Sequence, residues 1–132
     1  MKIDFNILLG SKSPRRKEIL EKAGFDFRIV EIDVEESYNA KLQTDHIAEY
    51  LAVKKSKAYS IEGENDLLIT SDTVVALSNE ILEKPLNVNH AFEMLKKLSG
   101  KEHQVHSGVC LRSMKKTKSL NLNLILKQVK YL

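Results

Sequence analysis

Residues 7–24 read ILLGSKSPRRKEILEKAG, and this stretch decides the fold class. Ile7, Leu8 and Leu9 form a short apolar run that predicts a buried strand. Gly10 and Ser11 end it. Ser13 and Pro14 then open a helix: Ser13 is a good N-cap, and Pro14 at the first helical position loses no needed N–H. Ile19, Leu20 and Ala23 supply an apolar stripe, and Gly24 is placed to stop the helix. A buried strand running straight into a helix is the opening of an α/β unit.

The same alternation continues outward. Phe27 to Ile32 predicts a strand, with Phe27 and Ile29 on one face, and Asp33 to Gln43 a polar loop. Ile47, Ala48, Leu51, Ala52 and Ala58 fall near helical spacing, in a helix expected to start at Thr44 or Asp45. Leu67 to Leu77 is the strongest strand. Ser78-Asn79 suits a tight turn into a partner strand at Glu80 to Glu83. Asn87 caps a third helix, with Val88, Ala91, Leu95 and Leu98 expected inward and Gly100 as its stop. His103 to Leu111 predicts another strand. The alternating tail Ser119-Leu-Asn-Leu-Asn-Leu-Ile-Leu126 is compatible with one more, but is monotonous and carries no turn chemistry. The expected class is α/β, in three layers.

Composition bounds the function. A chain of 132 residues has room for one domain. At that size roughly two-thirds of the unfolded surface is buried, so no disulfide or metal staple is required. Hydrophobic residues make up 42% and charged residues 30%, an ordinary globular balance. The single cysteine, Cys110, excludes an internal disulfide framework and fits a reducing compartment as a buried structural thiol. The four histidines show no zinc spacing. No apolar run reaches the roughly 20 residues that span a bilayer, and Met1 to Leu9 is too short and charged for a secretory signal. We therefore expect a soluble, cytoplasmic protein with no membrane partner.

The net charge of +3 hides an asymmetry. No acid follows Glu102, whereas six of the 21 cations do. Residues 1–102 thus hold 15 cations against 18 acids and sum to −3. The basic tail has no interleaved aromatics before Tyr131, so nucleic acid is not the expected partner.

Four features exceed what a scaffold needs. Lys12, Arg15, Arg16 and Lys17 crowd a helix N-terminus, where free N–H groups and the helix dipole favour anions. With Ser11 and Ser13 they read either as a phosphate cradle or as a solvated helix start. Asp72 lies inside the apolar strand Leu67 to Leu77. It is either an edge carboxylate turned to water or a buried general base or metal ligand. The acids Glu31, Asp33, Glu35 and Glu36 are either a solvated loop or a source of hard oxygen ligands for magnesium or manganese. Lys55, near the buried helical face, and Lys84, before Pro85, are either surface lysines or point charges for a phosphate. On a regular strand Thr73 faces away from Asp72.

Taken in order, these residues resemble the Maf family of nucleoside triphosphate pyrophosphatases, from about Ile7 to about Met114. Ser11-Lys-Ser-Pro-Arg-Arg16 is similar to that family's Ser-x-Ser-Pro-Arg-Arg signature. Glu36 matches its recurrent glutamate, and Leu51-Ala-Val-Lys-Lys55 its Leu-Ala-x-x-Lys segment. Asp72-Thr-Val-Val75 resembles Asp-Thr-Val-Val, and Glu83-Lys-Pro85 replaces the usual Gly-Lys-Pro. Leu98-Ser-Gly100 and His103-x-Val-x-Ser-Gly-Val109 follow in the expected order, with Ser107 where threonine is commoner.

The resemblance implies a mixed sheet with flanking helices, like that of inosine triphosphatase, and hydrolysis of dTTP and UTP to the monophosphate and pyrophosphate. It implies Asp72 and Glu36 as catalytic residues and as ligands of a divalent Mg or Mn cation. Ser11, Ser13, Arg15, Arg16, Lys55, Thr73 and Lys84 would bind substrate. A small-molecule nucleoside triphosphate would be the partner, with a homodimer as the assembly. The family's later Gly-x-Tyr-x-x-Gln stretch is absent here, and similarity fades at Lys115 to Ser119. The expected organisation is therefore a Maf-like domain over residues 1–118 and a divergent tail over 119–132, from a C-terminally truncated or frameshifted copy with the fold incomplete at that end. The alternative function is a truncated, weakly active or inactive fragment that still binds nucleotide phosphates.

Overall fold

A computed structural model describes residues 4–77, 80–82 and 85–126, with side chains as far as Leu120. The strands are β1 (Asn6–Leu9), β2 (Phe27–Ile29), β3 (Asp66–Leu77), β4 (Glu80–Leu82), β5 (His103–Arg112) and β6 (Thr117–Leu126). The helices are α1 (Pro14–Lys22), α2 (Thr44–Lys57) and α3 (Val88–Leu98). All six strands form one mixed sheet in the order β2-β1-β3-β5-β6, with β4 paired to β3. β1 runs parallel to β2 and β3. β3 with β4, β3 with β5, and β5 with β6 are antiparallel.

The register creates the feature that matters most. β1 pairs with β3 only as far as Leu9 opposite Ile69. β4 begins to pair at Val75. Between them, residues 70–74 of β3 pair with β5 alone among the described residues. Among the described residues, the long strand is thus left with an open edge just past the carboxyl end of β1. This is where open α/β sheets leave a crevice for ligands.

Helix α2 packs over β3 and β5. Ile47, Ala48, Leu51 and Ala52 are buried on its inner side. The approach is close: a Cβ on Gly108 of β5 would lie 2.3 Å from the Glu49 backbone nitrogen and 2.4 Å from the Ala48 carbonyl carbon. Glycine is required there because the obstacle is backbone. Thr70 Oγ1 donates to the Ala52 carbonyl at 2.7 Å, which satisfies a buried hydroxyl. At the far end of α2, Arg112 donates to Ser56 Oγ at 2.9 Å and to the carbonyls of Ser56 and Tyr59. The guanidinium there occupies the negative end of the helix dipole. Deeper in the sheet, Leu8, Val30 and Leu68 form a buried cluster flanked by Ile32, Tyr59 and Ile61. Cys110 is fully buried, as expected of a structural thiol.

Helix ends follow local chemistry. Ser13 Oγ accepts from the Arg16 N–H, with Pro14 at N1. Gly24, at φ +83, follows the C-cap Ala23 and takes the left-handed turn that side chains resist. Asn87 Oδ1 accepts from the His90 N–H at 2.8 Å.

Three expectations are corrected. α1 has no buried residue, and Ile19 is 56% exposed. In α3 only Leu98 is buried; Val88 is 84% exposed and Leu95 37%. Helical spacing aligns apolar side chains on one face, but burial also needs an element to cover that face. β2 stops at Ile29, short of Ile32, because its partner β1 ends at Leu9. One bond continues past it, from Val30 N–H to the Leu9 carbonyl at 3.0 Å. The turn expected at Ser78-Asn79 lies outside the described residues, although Leu77 and Glu80 pair across it. β6 runs through the position expected to divide domain from tail and pairs with β5 along its whole length. Among the described residues, no helix is long and apolar enough to cross a membrane.

Candidate active site

Four segments meet at the open edge of β3. The first is the loop from β1 to α1, tied to the sheet by Gly10 N–H donating to the Ile69 carbonyl at 2.9 Å. The second is the segment after β2, carrying Glu36. The third is the last turn of α2, carrying Lys55. The fourth is β3 itself, carrying Asp72 and Thr73.

Lys55 joins two of the acids. Its Nζ lies 2.9 Å from Glu36 Oε1 and 3.4 Å from Asp72 Oδ2. The side chains of Lys55 and Asp72 are only 16% and 14% exposed, whereas that of Glu36 is 48% exposed. Asp72 is therefore not an edge carboxylate turned to water. Its Oδ1 accepts from the Thr73 N–H at 2.8 Å. Its Oδ2 is buried and has no hydrogen-bond partner among the described residues; the ion pair with Lys55 is its compensation. A carboxylate oxygen so placed retains lone pairs for a cation, a water or a protonated ligand.

Arg16 organises the opposite side of the edge. Its Nη1 donates to Ser11 Oγ at 3.3 Å and to the Ser71 carbonyl at 3.2 Å, and its Nη2 to Thr73 Oγ1 at 3.4 Å. Ser11 Oγ also accepts from the Ser13 N–H at 3.2 Å. The loop is thus pinned to β3 by a side chain from the first turn of α1.

These groups border a cavity of about 450 Å³. Ser11, Lys12, Ser13, Asp33, Glu36 and Lys55 supply its polar lining, with Val30 and Ile32 behind them. Of the expected site residues, the structure brings Ser11, Ser13, Glu36 and Lys55 to this cavity, with Asp72 on Lys55. Arg16 and Thr73 adjoin it through Ser11. Arg15 is exposed on the first turn of α1. Lys84 lies outside the described residues. Sequence reasoning did not single out Lys12 and Asp33 as separate site residues, although both stood within clusters it marked. It also missed the pairing of Thr73 with Ser107, which only the β3–β5 register reveals. A second groove of about 610 Å³ between β4 and α3 contains none of the described site residues.

The donor set can be tested against a metal. Among the described residues no group of three or more His, Cys, Asp or Glu is placed to hold one. Magnesium does not require such a group. It is commonly held by one or two carboxylates together with substrate phosphates and waters. The orphaned Asp72 Oδ2 and the adjacent Glu36 carboxylate fit that pattern.

The chain resembles known proteins in the same terms. A family model described as Maf-like protein matches residues 6–130. A dTTP/UTP pyrophosphatase of Bacteroides thetaiotaomicron is 46% identical over 117 residues, covering 87% of this chain and 61% of the relative. A dTTP/UTP pyrophosphatase of Clostridioides difficile is 40% identical over 126 residues, covering 96% of this chain and 64% of the relative. The chain thus spans about three-fifths of the length of these curated relatives. Among solved structures, the Ham1 protein of Staphylococcus aureus aligns with a TM-score of 0.54 at 15% identity, over 91% of this chain and 70% of that one. A HAM1 protein of Coxiella burnetii aligns at 0.54 and 13%, over 92% and 70%. At such identities the likeness concerns the fold: a mixed sheet with flanking helices.

Proposed function

This chain belongs to the Maf family, and on that footing we propose that it hydrolyses dTTP and UTP to the monophosphate and pyrophosphate. The observation that carries the reading is the Lys55 ammonium held between Glu36 and Asp72, whose Oδ2 is buried, at a cavity rimmed by the serines and lysine that open α1. The relatives named dTTP/UTP pyrophosphatases support the choice of substrate.

Phosphoryl transfer asks a protein mainly for positioning and charge neutralisation. In this reading Lys12, Ser11, Ser13 and the N-terminal N–H groups of α1 hold the β- and γ-phosphates. Arg16, with Arg15 one residue before it, adds positive charge to the same end, and Lys84 is taken as a further substrate-binding residue. Asp72 orients the attacking water through Oδ2 and accepts its proton as the oxygen attacks the α-phosphorus. The bond from that phosphorus to the bridging oxygen breaks, and pyrophosphate leaves. Glu36 keeps Lys55 turned toward Asp72, and Thr73 meets the nucleoside end. A divalent Mg or Mn cation on Asp72 and Glu36 would polarise the α-phosphate when bound.

The reading further takes a small-molecule nucleoside triphosphate as partner, neither nucleic acid nor membrane, a cytoplasmic location, and a homodimer as the assembly. The Maf-like unit would extend over residues 1–118, with 119–132 as a divergent tail.

The test is pyrophosphate release from dTTP and UTP with magnesium. We expect turnover by the wild-type chain and its loss in Asp72→Asn, with the melting temperature retained. Undiminished turnover in that variant would remove Asp72 from the mechanism. Stabilisation by nucleotide without turnover in the wild type would instead support the second reading, a phosphate-binding fragment.

A further inference from the structure

At its open edge β3 carries different chemistry on its two faces. Asp72 reaches Lys55 of α2. Thr73, one residue on, reaches the other way, where its Oγ1 lies 3.1 Å from Ser107 Oγ of β5. The two residues are partners across the β3–β5 ladder, so the contact is built into the register. Thr73 Oγ1 is also the acceptor for Arg16 Nη2.

The donor inventory gives this chain of groups a direction. A guanidinium only donates, so Thr73 Oγ1 must accept from Arg16. Thr73 and Ser107 then share one hydroxyl proton between their oxygens. Whichever of them donates, the Thr73 oxygen keeps a lone pair for Arg16 and is held in one rotamer. Arg16 in turn donates to Ser11 Oγ, which lines the cavity. A continuous relay therefore runs from the middle of the sheet to the cavity rim: Ser107, Thr73, Arg16, Ser11. The roles proposed above use its last three members and leave Ser107 without one.

We propose that Ser107 is a positioning residue for the phosphate loop, acting through Thr73 on the plane of the Arg16 guanidinium. The proposal rests on reading the cavity as a polyphosphate site. The Ser107 hydroxyl orients Thr73, Thr73 sets Arg16, and Arg16 holds the Ser11 hydroxyl at the rim.

The test uses the full chain with Ser107→Val, which keeps bulk on the strand but lacks the hydroxyl, and Ser107→Thr, which retains it. Two quantities are measured beside the melting temperature. One is the hydrogen exchange of the Arg16 guanidinium by nitrogen-15 NMR, assigned with Arg16→Lys. The other is affinity for inorganic tripolyphosphate by calorimetry. In Ser107→Val we expect faster Arg16 exchange and about threefold to tenfold weaker tripolyphosphate binding, the worth of one ordinary hydrogen bond. Ser107→Thr should restore both. Unchanged Arg16 exchange in Ser107→Val overturns the relay. Altered exchange with unchanged affinity overturns its role in binding. A loss that Ser107→Thr does not rescue assigns Ser107 to packing alone and overturns the proposal. A wild-type chain that ignores tripolyphosphate sinks the polyphosphate reading, and the exchange measurement then still decides the relay.

Discussion

Asp72 and Lys55 set the chemistry at the scale of single residues. A carboxylate this buried is costly unless a cation accompanies it. Lys55 meets that need for Asp72 and is itself steadied by Glu36. Such an arrangement is poised: a phosphate competes for the ammonium, and a divalent cation competes for the carboxylates. We expect Lys55→Met to weaken tripolyphosphate binding about tenfold to a hundredfold, the range for a hydrogen bond to a charged group. Calorimetry checks it, and an unchanged dissociation constant would remove Lys55 from the phosphate site. These residue types were legible beforehand because each was out of place locally: cations at a helix start, an acid inside an apolar strand. Their partners were not legible. Glu36, Lys55 and Asp72 are far apart in the chain, and only folding decides which of four neighbouring acids meets the lysine.

Among the elements, α2 and β5 matter most. Lys55 can reach Asp72 because α2 lies low on the sheet, and α2 lies low because Gly108 offers no side chain. Gly108→Ala would drive a Cβ into the Ala48 and Glu49 backbone. We expect a loss of about 1–3 kcal/mol or more in urea unfolding, as for other overpacked sites. Turnover should fall with it as α2 lifts. Unchanged stability would show that α2 rides higher than described. Arg112 fastens the other end of the same helix through Ser56, the residue after Lys55. Strand and helix identities were readable from period and caps: Ser13, Gly24 and Asn87 mark their boundaries where the sequence places them. Burial was not. The stripes of α1 and α3 have helical spacing, yet most of their members are exposed, since periodicity says nothing about what lies opposite.

Across the whole molecule the net charge is +3, and Lys12, Arg15, Arg16 and Lys17 cluster at the start of α1. A ligand that binds the folded state alone stabilises it by mass action. At about 100 times its dissociation constant, tripolyphosphate should add about 2.7 kcal/mol. For a domain of this size that raises the melting temperature by on the order of 10 °C. The shift should shrink with added salt, because the attraction is screened. A scan with no shift at saturating tripolyphosphate would exclude a binding site for it in the folded chain.

The sequence by itself determined the order of strands and helices, the caps, the family, and the residue types from which a phosphate site can be made. These are local properties, set by side-chain sterics, hydrogen-bonding capacity and spacing along a few turns of chain. Only the tertiary structure decided that β1 stops where β3 goes on, which opens the edge that receives the site. It alone paired Lys55 with both carboxylates and set Thr73 against Ser107. Contacts of that kind depend on register and on how closely one layer rests on another, and these are settled by the packing of the whole chain together.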